Sequence, residues 1–198
     1  MVKMERGLVM SRLWLSGYRS YELNVFGDQD DKLKVIKYAL TNYLTTQIED
    51  GVDWLITGGQ LGIEQWSAEV GLELKKTYPE LKVAMMLPYG EFGGRWNENN
   101  QAKLQALLSR VDFHAPVSKQ TYENPQQLKN YQDFMVTHTD AAALVYDPDN
   151  PGKPSYDYDL IRSYGEAHPY PITLIDFDWL QESANEYAEK QNNGFNFE

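Results

Sequence analysis

Short apolar runs alternate with longer segments of helical periodicity along almost the whole of this 198-residue chain. The apolar runs, such as RLWLSGY at 12–18 and DWLITGG at 53–59, are short and largely continuous. Between them, segments such as 31–51 carry apolar residues three or four positions apart. Parallel strands need a crossover of helical length, and strands covered on both faces are apolar throughout. The pattern therefore predicts a parallel sheet with helices on both faces.

We predict one doubly wound, mainly parallel, Rossmann-like α/β domain over residues 1–190, with a frayed tail at 191–198. Pro79 is expected to end the second helix, Asn97 to cap the third and Asn124 to cap the fourth. In such sheets ligands bind outside the carboxyl ends of the strands, so the residues after each apolar run are the ones to inspect. The strands are predicted at 12–18, 53–59, 81–89, 111–118, 141–147 and 170–176, and the helices at 31–51, 62–80, 97–111, 124–140, 155–168 and 178–191.

The acidic composition limits the classes of partner. The chain has 18 Lys and Arg residues against 29 Asp and Glu residues, a formal net charge of -11. Nucleic acids and anionic membranes recruit basic patches, and no basic run occurs, so nucleic-acid binding is disfavoured. No apolar segment approaches 18 residues, which predicts no membrane span. Without cysteine, a signal-peptide pattern or a metal-ligand motif, we expect a cytoplasmic protein with no metal site.

A glycine-rich turn follows the second predicted strand. Gly58, Gly59 and Gly62 lie between this strand and a helix that begins near Ile63. Glycine permits close backbone approach, and the unpaired amides of a first helical turn attract anions, so the turn is a candidate phosphate site. The spacing G-G-x-x-G matches neither the dinucleotide motif nor a P-loop. The alternative is a tight strand-to-helix turn that needs glycine for steric reasons alone.

Glu64 stands in the first turn of that helix, where an acidic side chain complements the helix dipole. A carboxylate there would repel a phosphate but would suit ribose hydroxyl groups. We therefore expect a ligand with phosphate on the glycine amides and a sugar or base near Glu64. The alternative is that Glu64 points away from the crevice.

Polar and aromatic residues also follow the other predicted strands. After the first strand, Arg19 is a candidate partner for a phosphate, and Tyr18 either stacks on a base or is a half-buried loop aromatic. In the loop 88–100, Arg95 and Trp96 either close over a ligand or belong to a plain loop with a packing tryptophan. The helix that begins near Ser155, with Lys153 before it, is a second candidate anion site.

Four segments resemble the YpsA-like family of bacterial proteins. They are LSGYRSYEL, ITGGQLGIEQWSAEV, YPELKVAMMLPY and ALVYDPDNPGKPSYDY, in this order along nearly the whole chain. That family is similar to the SLOG superfamily of Rossmann-like domains, which also includes LOG-type phosphoribohydrolases and DprA DNA-processing proteins. The resemblance implies a site for a nucleotide or nucleotide derivative, with NAD-related or ADP-ribose-like ligands suspected. It also implies a link to cell division or envelope control.

The resemblance places the site on two segments and includes one departure. LOG-type enzymes carry a second motif, P-G-G-x-G-T-x-x-E, after a later strand. Here the comparable segment 147–160 has one glycine and lacks the glutamate, which argues against phosphoribohydrolase activity. The site residues implied are Ser16, Gly17, Tyr18, Arg19, Gly58, Gly59, Gln60, Gly62 and Glu64.

Three functions remain open from the sequence. The first is a binding or sensing module for a nucleotide-derived metabolite. The second is a phosphoribohydrolase-type enzyme that cleaves a nucleotide N-glycosidic bond with Glu64 as its catalytic group. The third is a factor that acts through a protein partner, or through a second copy of the chain in a homo-oligomer.

Overall fold

Six strands and six helices alternate in the computed structural model, which describes residues 11–194. The alternation has the order that the apolar periodicity predicts. The strands are β1 (Ser11–Gly17), β2 (Val52–Thr57), β3 (Lys82–Tyr89), β4 (Phe113–Ser118), β5 (Ala141–Val145) and β6 (Ile172–Leu174). The helices are α1 (Asp31–Glu49), α2 (Ile63–Leu74), α3 (Glu98–Leu108), α4 (Gln126–His138), α5 (Ser155–Gly165) and α6 (Phe177–Gly194).

All the strands pair in parallel in one sheet, in the order β4-β3-β2-β1-β5-β6. Central strand β1 pairs on one side with β2, where Leu15 lies opposite Thr57, and on the other side with β5, where Leu15 lies opposite Ala143. The chain therefore builds outward from β1 to β4 and then returns to the other side of β1. This confirms the predicted doubly wound fold and puts the topological switch point between β1 and β5.

The reversal of direction distributes the helices over both faces of the sheet. Helix α1 packs against α2 and α6, and α2 also packs against α3, whereas α4 packs against α5. Right-handed crossovers place helices on opposite faces when the chain changes direction along the sheet. The core lies between these layers, where Leu13, Trp14 and Leu15 of β1 are buried almost completely.

Side-chain hydrogen bonds stabilise the starts of some helices. Asn97 caps α3, as predicted, because its side-chain oxygen accepts a hydrogen bond from the Asn100 amide at 2.9 Å. The Asn124 side chain likewise accepts from the Gln126 amide at 3.0 Å at the start of α4. Pro79 does not set the end of α2, because the helix already stops at Leu74, whose carbonyl accepts from the Tyr78 amide at 2.8 Å.

The closing helix is longer than the sequence indicates. Helix α6 continues to Gly194, so the first four residues of the predicted tail are helical. Residues 1–10 and 195–198 lie outside the described part of the chain.

Candidate ligand-binding site

A cavity of about 410 Å³ opens at the carboxyl end of β1, beside the switch point. Its volume falls within the range of small-molecule sites. Five of the nine predicted site residues line it: Ser16, Gly17, Arg19, Gln60 and Glu64. The remaining lining comes from Pro88 and from the segments that begin α4 and α5, namely Pro125, Leu128, Lys129, Tyr131, Gln132, Lys153, Pro154, Tyr156 and Asp157.

Two carboxyl groups meet at one hydroxyl on the floor of this cavity. The Ser16 hydroxyl lies 3.1 Å from Glu64 Oε1 and 3.0 Å from Asp157 Oδ2. A serine hydroxyl has a single proton and can donate it to only one of them. Both contacts become hydrogen bonds when one carboxyl group is protonated and donates to Ser16 Oγ. The geometry therefore favours one proton held between Glu64 and Asp157.

Burial raises the pKa of both carboxyl groups. The pKa of Glu64 rises from 4.5 to about 7, chiefly because its side chain is buried and also because Asp157 is close, although hydrogen bonds from the Gln60 amide and Ser16 oppose the shift. The pKa of Asp157 also rises through burial, against hydrogen bonds from Gln132 and Ser16. Near neutral pH, Glu64 is therefore divided between its protonated and ionised forms.

The three glycines of the turn make room for the protein's own atoms. A Cβ on Gly58 would overlap the Glu64 carboxyl group and lie 2.5 Å from the Tyr131 hydroxyl. A Cβ on Gly62, whose φ is 119°, would lie 2.5 Å from the Ser20 amide nitrogen. At Gly59 it would lie 2.5 Å from a side-chain carbon of Leu87. The steric alternative therefore accounts for Gly62, whose neighbours are backbone atoms, while side chains crowd Gly58 and Gly59; none of the three glycines lines the cavity.

Three amides in and just after this turn donate hydrogen bonds within the protein. The Ile63 amide donates to the Tyr18 carbonyl at 3.1 Å, and the Gln65 amide donates to the Gln60 carbonyl at 3.3 Å. The Gln60 amide donates to Glu64 Oε2 at 2.7 Å. The carboxyl group thus occupies the position in which we expected a phosphate, and it faces the cavity.

Tyr18 is a core residue, so its side chain offers no surface for stacking on a base. Only 3% of it is exposed, and its ring stacks on Phe177 with centroids 5.5 Å apart. Its hydroxyl donates to the Asn150 carbonyl at 2.5 Å and accepts from the Asp147 amide at 3.1 Å. Tyr18 therefore ties the end of β1 to the loop that follows β5.

The rim of the cavity is cationic. Arg19, Lys129 and Lys153 line it, and none of these side-chain nitrogens forms an ion pair within 4.0 Å among residues 11–194. Helices α4 and α5 begin here, so the positive ends of two helix dipoles add to the same potential. Next to these cations, Leu128 and Tyr156 are 39% and 66% exposed and add apolar surface.

The loop after β3 matches the interpretation of a plain loop with a packing tryptophan. The Trp96 ring packs edge-on against Phe92 with centroids 5.2 Å apart, and Gln101 donates to the Trp96 carbonyl at 2.6 Å. Neither Trp96 nor Arg95 lines the cavity.

Sequence reasoning missed three polar residues that α4 and α5 bring to the floor. Asp157 accepts from Gln132 at 2.6 Å, and its other carboxyl oxygen lies 3.0 Å from the Ser16 hydroxyl. Tyr131 is 8% exposed, and its hydroxyl is buried without a hydrogen-bond partner in the described structure. Asp157 follows a predicted strand end and opens a predicted helix, a signal that would have placed it at this edge of the sheet. Tyr131 and Gln132, which lie inside a helix, carry no such signal.

Two further observations concern the described residues alone. Among residues 11–194, no group of three or more His, Asp or Glu side chains is arranged to hold a metal ion. Over the same range, each helix is too short or too polar to cross a membrane.

Comparisons with known proteins agree with the resemblance seen in the sequence. The model of the YspA SLOG family, YpsA, matches residues 13–180. A UPF0398 protein of Lactiplantibacillus plantarum is 91% identical over 189 residues, which are 96% of this chain and 100% of that protein. A UPF0398 protein of Levilactobacillus brevis is 65% identical over 96% of this chain and 100% of its own length. Another, from Latilactobacillus sakei, is 59% identical over 94% of this chain and 100% of its own length.

Proposed function

We propose that this chain, which belongs to the YspA SLOG family, binds a nucleotide or nucleotide derivative in the cavity beside Ser16. One observation carries the proposal: the cavity has carboxyl groups on its floor and, on its rim, three cations that form no ion pair among residues 11–194. A nucleotide has the complementary groups, because its sugar hydroxyls can donate to carboxylates and its phosphates attract cations. Membership of a SLOG family supports a nucleotide-related function.

The charges also orient the ligand. A phosphate on the floor would face Glu64 and Asp157, whereas at the rim it would meet Arg19, Lys129 and Lys153. We therefore place the phosphates at the rim and the sugar toward the floor. The exposed ring of Tyr156 provides a surface on which a base can stack. ADP-ribose-like and NAD-related compounds, which carry two phosphates, fit a rim with several cations.

A thermal-shift panel tests binding directly. AMP, ADP, NAD, ADP-ribose and inorganic phosphate are each added to the wild-type protein, to Arg19→Gln and to Arg110→Gln. Arg110 is exposed and lies outside the cavity, so it is the matched control. A ligand at about 100 times its dissociation constant adds roughly 2.7 kcal/mol. The midpoint should then rise by on the order of 5–10 °C in a chain of this size.

We expect a shift with at least one nucleotide that Arg19→Gln reduces and Arg110→Gln retains. No shift with any compound in the panel would contradict the proposal. Gly62 is unsuitable as a binding control, because a side chain there would disturb the backbone of the turn itself.

A second function, hydrolysis of a nucleotide N-glycosidic bond, is favoured by the pair of carboxyl groups. A general acid works best when its pKa lies near the working pH, and burial raises the pKa of Glu64 to about 7. Asp157 comes from the segment that lacks the second LOG-type motif, yet it supplies a second carboxylate next to Glu64. Both groups border the cavity in which the sugar of a nucleotide would lie.

Release of the free base measures turnover. Chromatography after incubation with AMP, ADP or NAD should show a base with the wild-type protein, and Glu64→Gln and Asp157→Asn should lower the rate. If a nucleotide raises the melting midpoint but no base is released, the chain is a binding protein and the hydrolase hypothesis is wrong.

The link to cell-division control and the cytoplasmic location extend this proposal on the strength of the resemblance. A partner in division control would bind the protein in its ligand-bound state. A division defect after deletion of the gene should then be restored by the wild-type chain and not by Arg19→Gln. Equal restoration by both would separate the cellular role from ligand binding.

A further inference from the structure

We propose that the floor of the cavity is a ribose-hydroxyl subsite in which Tyr131 is the donor that selects ribonucleotides over 2′-deoxyribonucleotides. This inference rests on the proposed nucleotide binding and adds a specificity to it. Three observations carry it: the Tyr131 hydroxyl has no partner among residues 11–194, it lies close to the Glu64 carboxyl group above Gly58, and two carboxyl groups stand next to it.

The Tyr131 hydroxyl has no hydrogen-bond partner among the described residues, although the side chain is more than nine-tenths buried. Burying a hydroxyl without a partner is destabilising, and a phenylalanine would fill almost the same space without that cost. Burial, together with the charges of Glu64 and Asp157, raises its pKa well above the usual value. The hydroxyl therefore keeps its proton. A group that enters the cavity can satisfy it by accepting this proton in a hydrogen bond or by donating one of its own.

The position of this hydroxyl beside Glu64 defines the group that would satisfy it. A Cβ on Gly58 would collide with both the Glu64 carboxyl group and the Tyr131 hydroxyl, so these two groups lie close together in the space above Gly58. They do not form a hydrogen bond with each other. A sugar hydroxyl placed between them accepts from Tyr131 and donates to a carboxylate, which uses both of its hydrogen-bonding capacities.

A vicinal diol matches the floor better than a single hydroxyl. The Glu64 and Asp157 carboxyl groups are both within 3.1 Å of Ser16 Oγ, so they stand side by side as two acceptors. A ribose offers two neighbouring hydroxyls, one for each carboxyl group, and Tyr131 donates to one of their oxygens. A 2′-deoxyribose would leave one carboxyl group and the Tyr131 hydroxyl without these partners. Sites built to hydrogen-bond a hydroxyl reject analogues that lack it strongly.

Paired titrations test this specificity. Isothermal titration calorimetry compares AMP with 2′-deoxy-AMP, and ADP with 2′-deoxy-ADP, on the wild-type protein, on Tyr131→Phe and on Tyr164→Phe. Tyr164 lies on α5 away from the cavity and is the matched control for loss of a phenol hydroxyl. We expect the wild type and Tyr164→Phe to bind the ribonucleotides on the order of 10-fold to 100-fold more tightly than the deoxy forms. In Tyr131→Phe this ratio should fall toward one, mainly because the ribonucleotide binds more weakly.

The outcomes separate the two proposals. If no nucleotide binds the wild type, the proposed function fails and this inference fails with it. If each ribonucleotide and its deoxy form bind with equal affinity, nucleotide binding stands and the ribose subsite is wrong. If the wild type discriminates and Tyr131→Phe discriminates equally, the subsite exists without Tyr131 as its selecting donor. The melting midpoint of Tyr131→Phe, measured alongside, shows that the variant is folded.

Discussion

Glu64→Gln should change the pH dependence of stability. The folded-state pKa of Glu64 is about 7, against 4.5 for the ordinary side chain, because burial disfavours its charged form. The folded protein therefore holds this proton more tightly than the unfolded chain does. The stability that comes from the protonated side chain is fully present below pH 4.5 and is lost as the pH rises through about 7.

The pKa difference sets the size of the effect. Each pH unit between the unfolded and folded pKa values is worth about 1.4 kcal/mol, so this group alone lowers the free energy of unfolding by about 3 kcal/mol from pH 4.5 to above pH 7. Glutamine does not ionise, and its side-chain carbonyl can still accept from the Gln60 amide. The free energy of unfolding of Glu64→Gln should consequently lack this decline.

Urea denaturation at pH 5, 6, 7 and 8 and constant ionic strength measures both proteins. We expect the difference in stability, variant minus wild type, to rise by about 2–3 kcal/mol across this range. Asp140→Asn is the control, because its hydrogen bonds with Arg12 lower the pKa of Asp140. The stability that Asp140 adds is lost only as the pH falls through that lowered pKa. Asp140→Asn should therefore change the free energy of unfolding by the same amount at all four pH values. Parallel profiles for wild type and Glu64→Gln would show that burial does not hold the proton on Glu64.

Three substitutions test packing and hydrogen bonding in the fold by thermal denaturation without ligand. Tyr131→Phe should raise the free energy of unfolding by about 1 kcal/mol, because it removes a buried hydroxyl that has no partner among residues 11–194; a decrease of the same size would show that the hydroxyl has a partner. Tyr170→Phe should lower it by about 1 kcal/mol, because it breaks the 2.6 Å hydrogen bond with Thr139; no change would contradict this. Gly62→Ala should cost about 1–3 kcal/mol, since φ is 119° and the Ser20 amide is close; wild-type stability would show that the turn can relax.

The sequence predicted the fold well because the fold depends on periodicity. Buried parallel strands such as β3 must be apolar throughout, and the helices between them must present an apolar stripe, so each leaves a distinct pattern. Helix ends depend on single local contacts and were less predictable. The end of α2 at Leu74 arises from a backbone turn, and no side chain in the sequence indicates it.

The candidate site was predictable only where it follows strand ends. Ser16 lies near the end of β1, where the strand-end rule applies, and Glu64 lies in the first helical turn after the glycines, which is why the sequence indicated it; both line the cavity. Tyr131 and Asp157 come from distant helices, and they reach Glu64 only because β5 inserts beside β1. That strand order depends on tertiary packing and cannot be deduced from local pattern.

The sequence left two interpretations of the glycine turn open. A phosphate cradle and a turn that accommodates a side chain both require glycine, so the residues at 58–62 do not distinguish the two structures. The distinction depends on what fills the space above Gly58. Here the Glu64 carboxyl group and the Tyr131 hydroxyl fill it.

The link that Tyr18 makes between the two central strands has a consequence for the rate of ligand exchange. Its hydroxyl bonds the Asp147 amide and the Asn150 carbonyl, so the loops after β1 and β5 are fastened together above the switch point. A ligand would therefore enter and leave past the first turns of α4 and α5, and no separation of the two halves of the sheet is needed. Association should be fast and limited by diffusion and charge, and differences in affinity among related ligands should appear in their residence times.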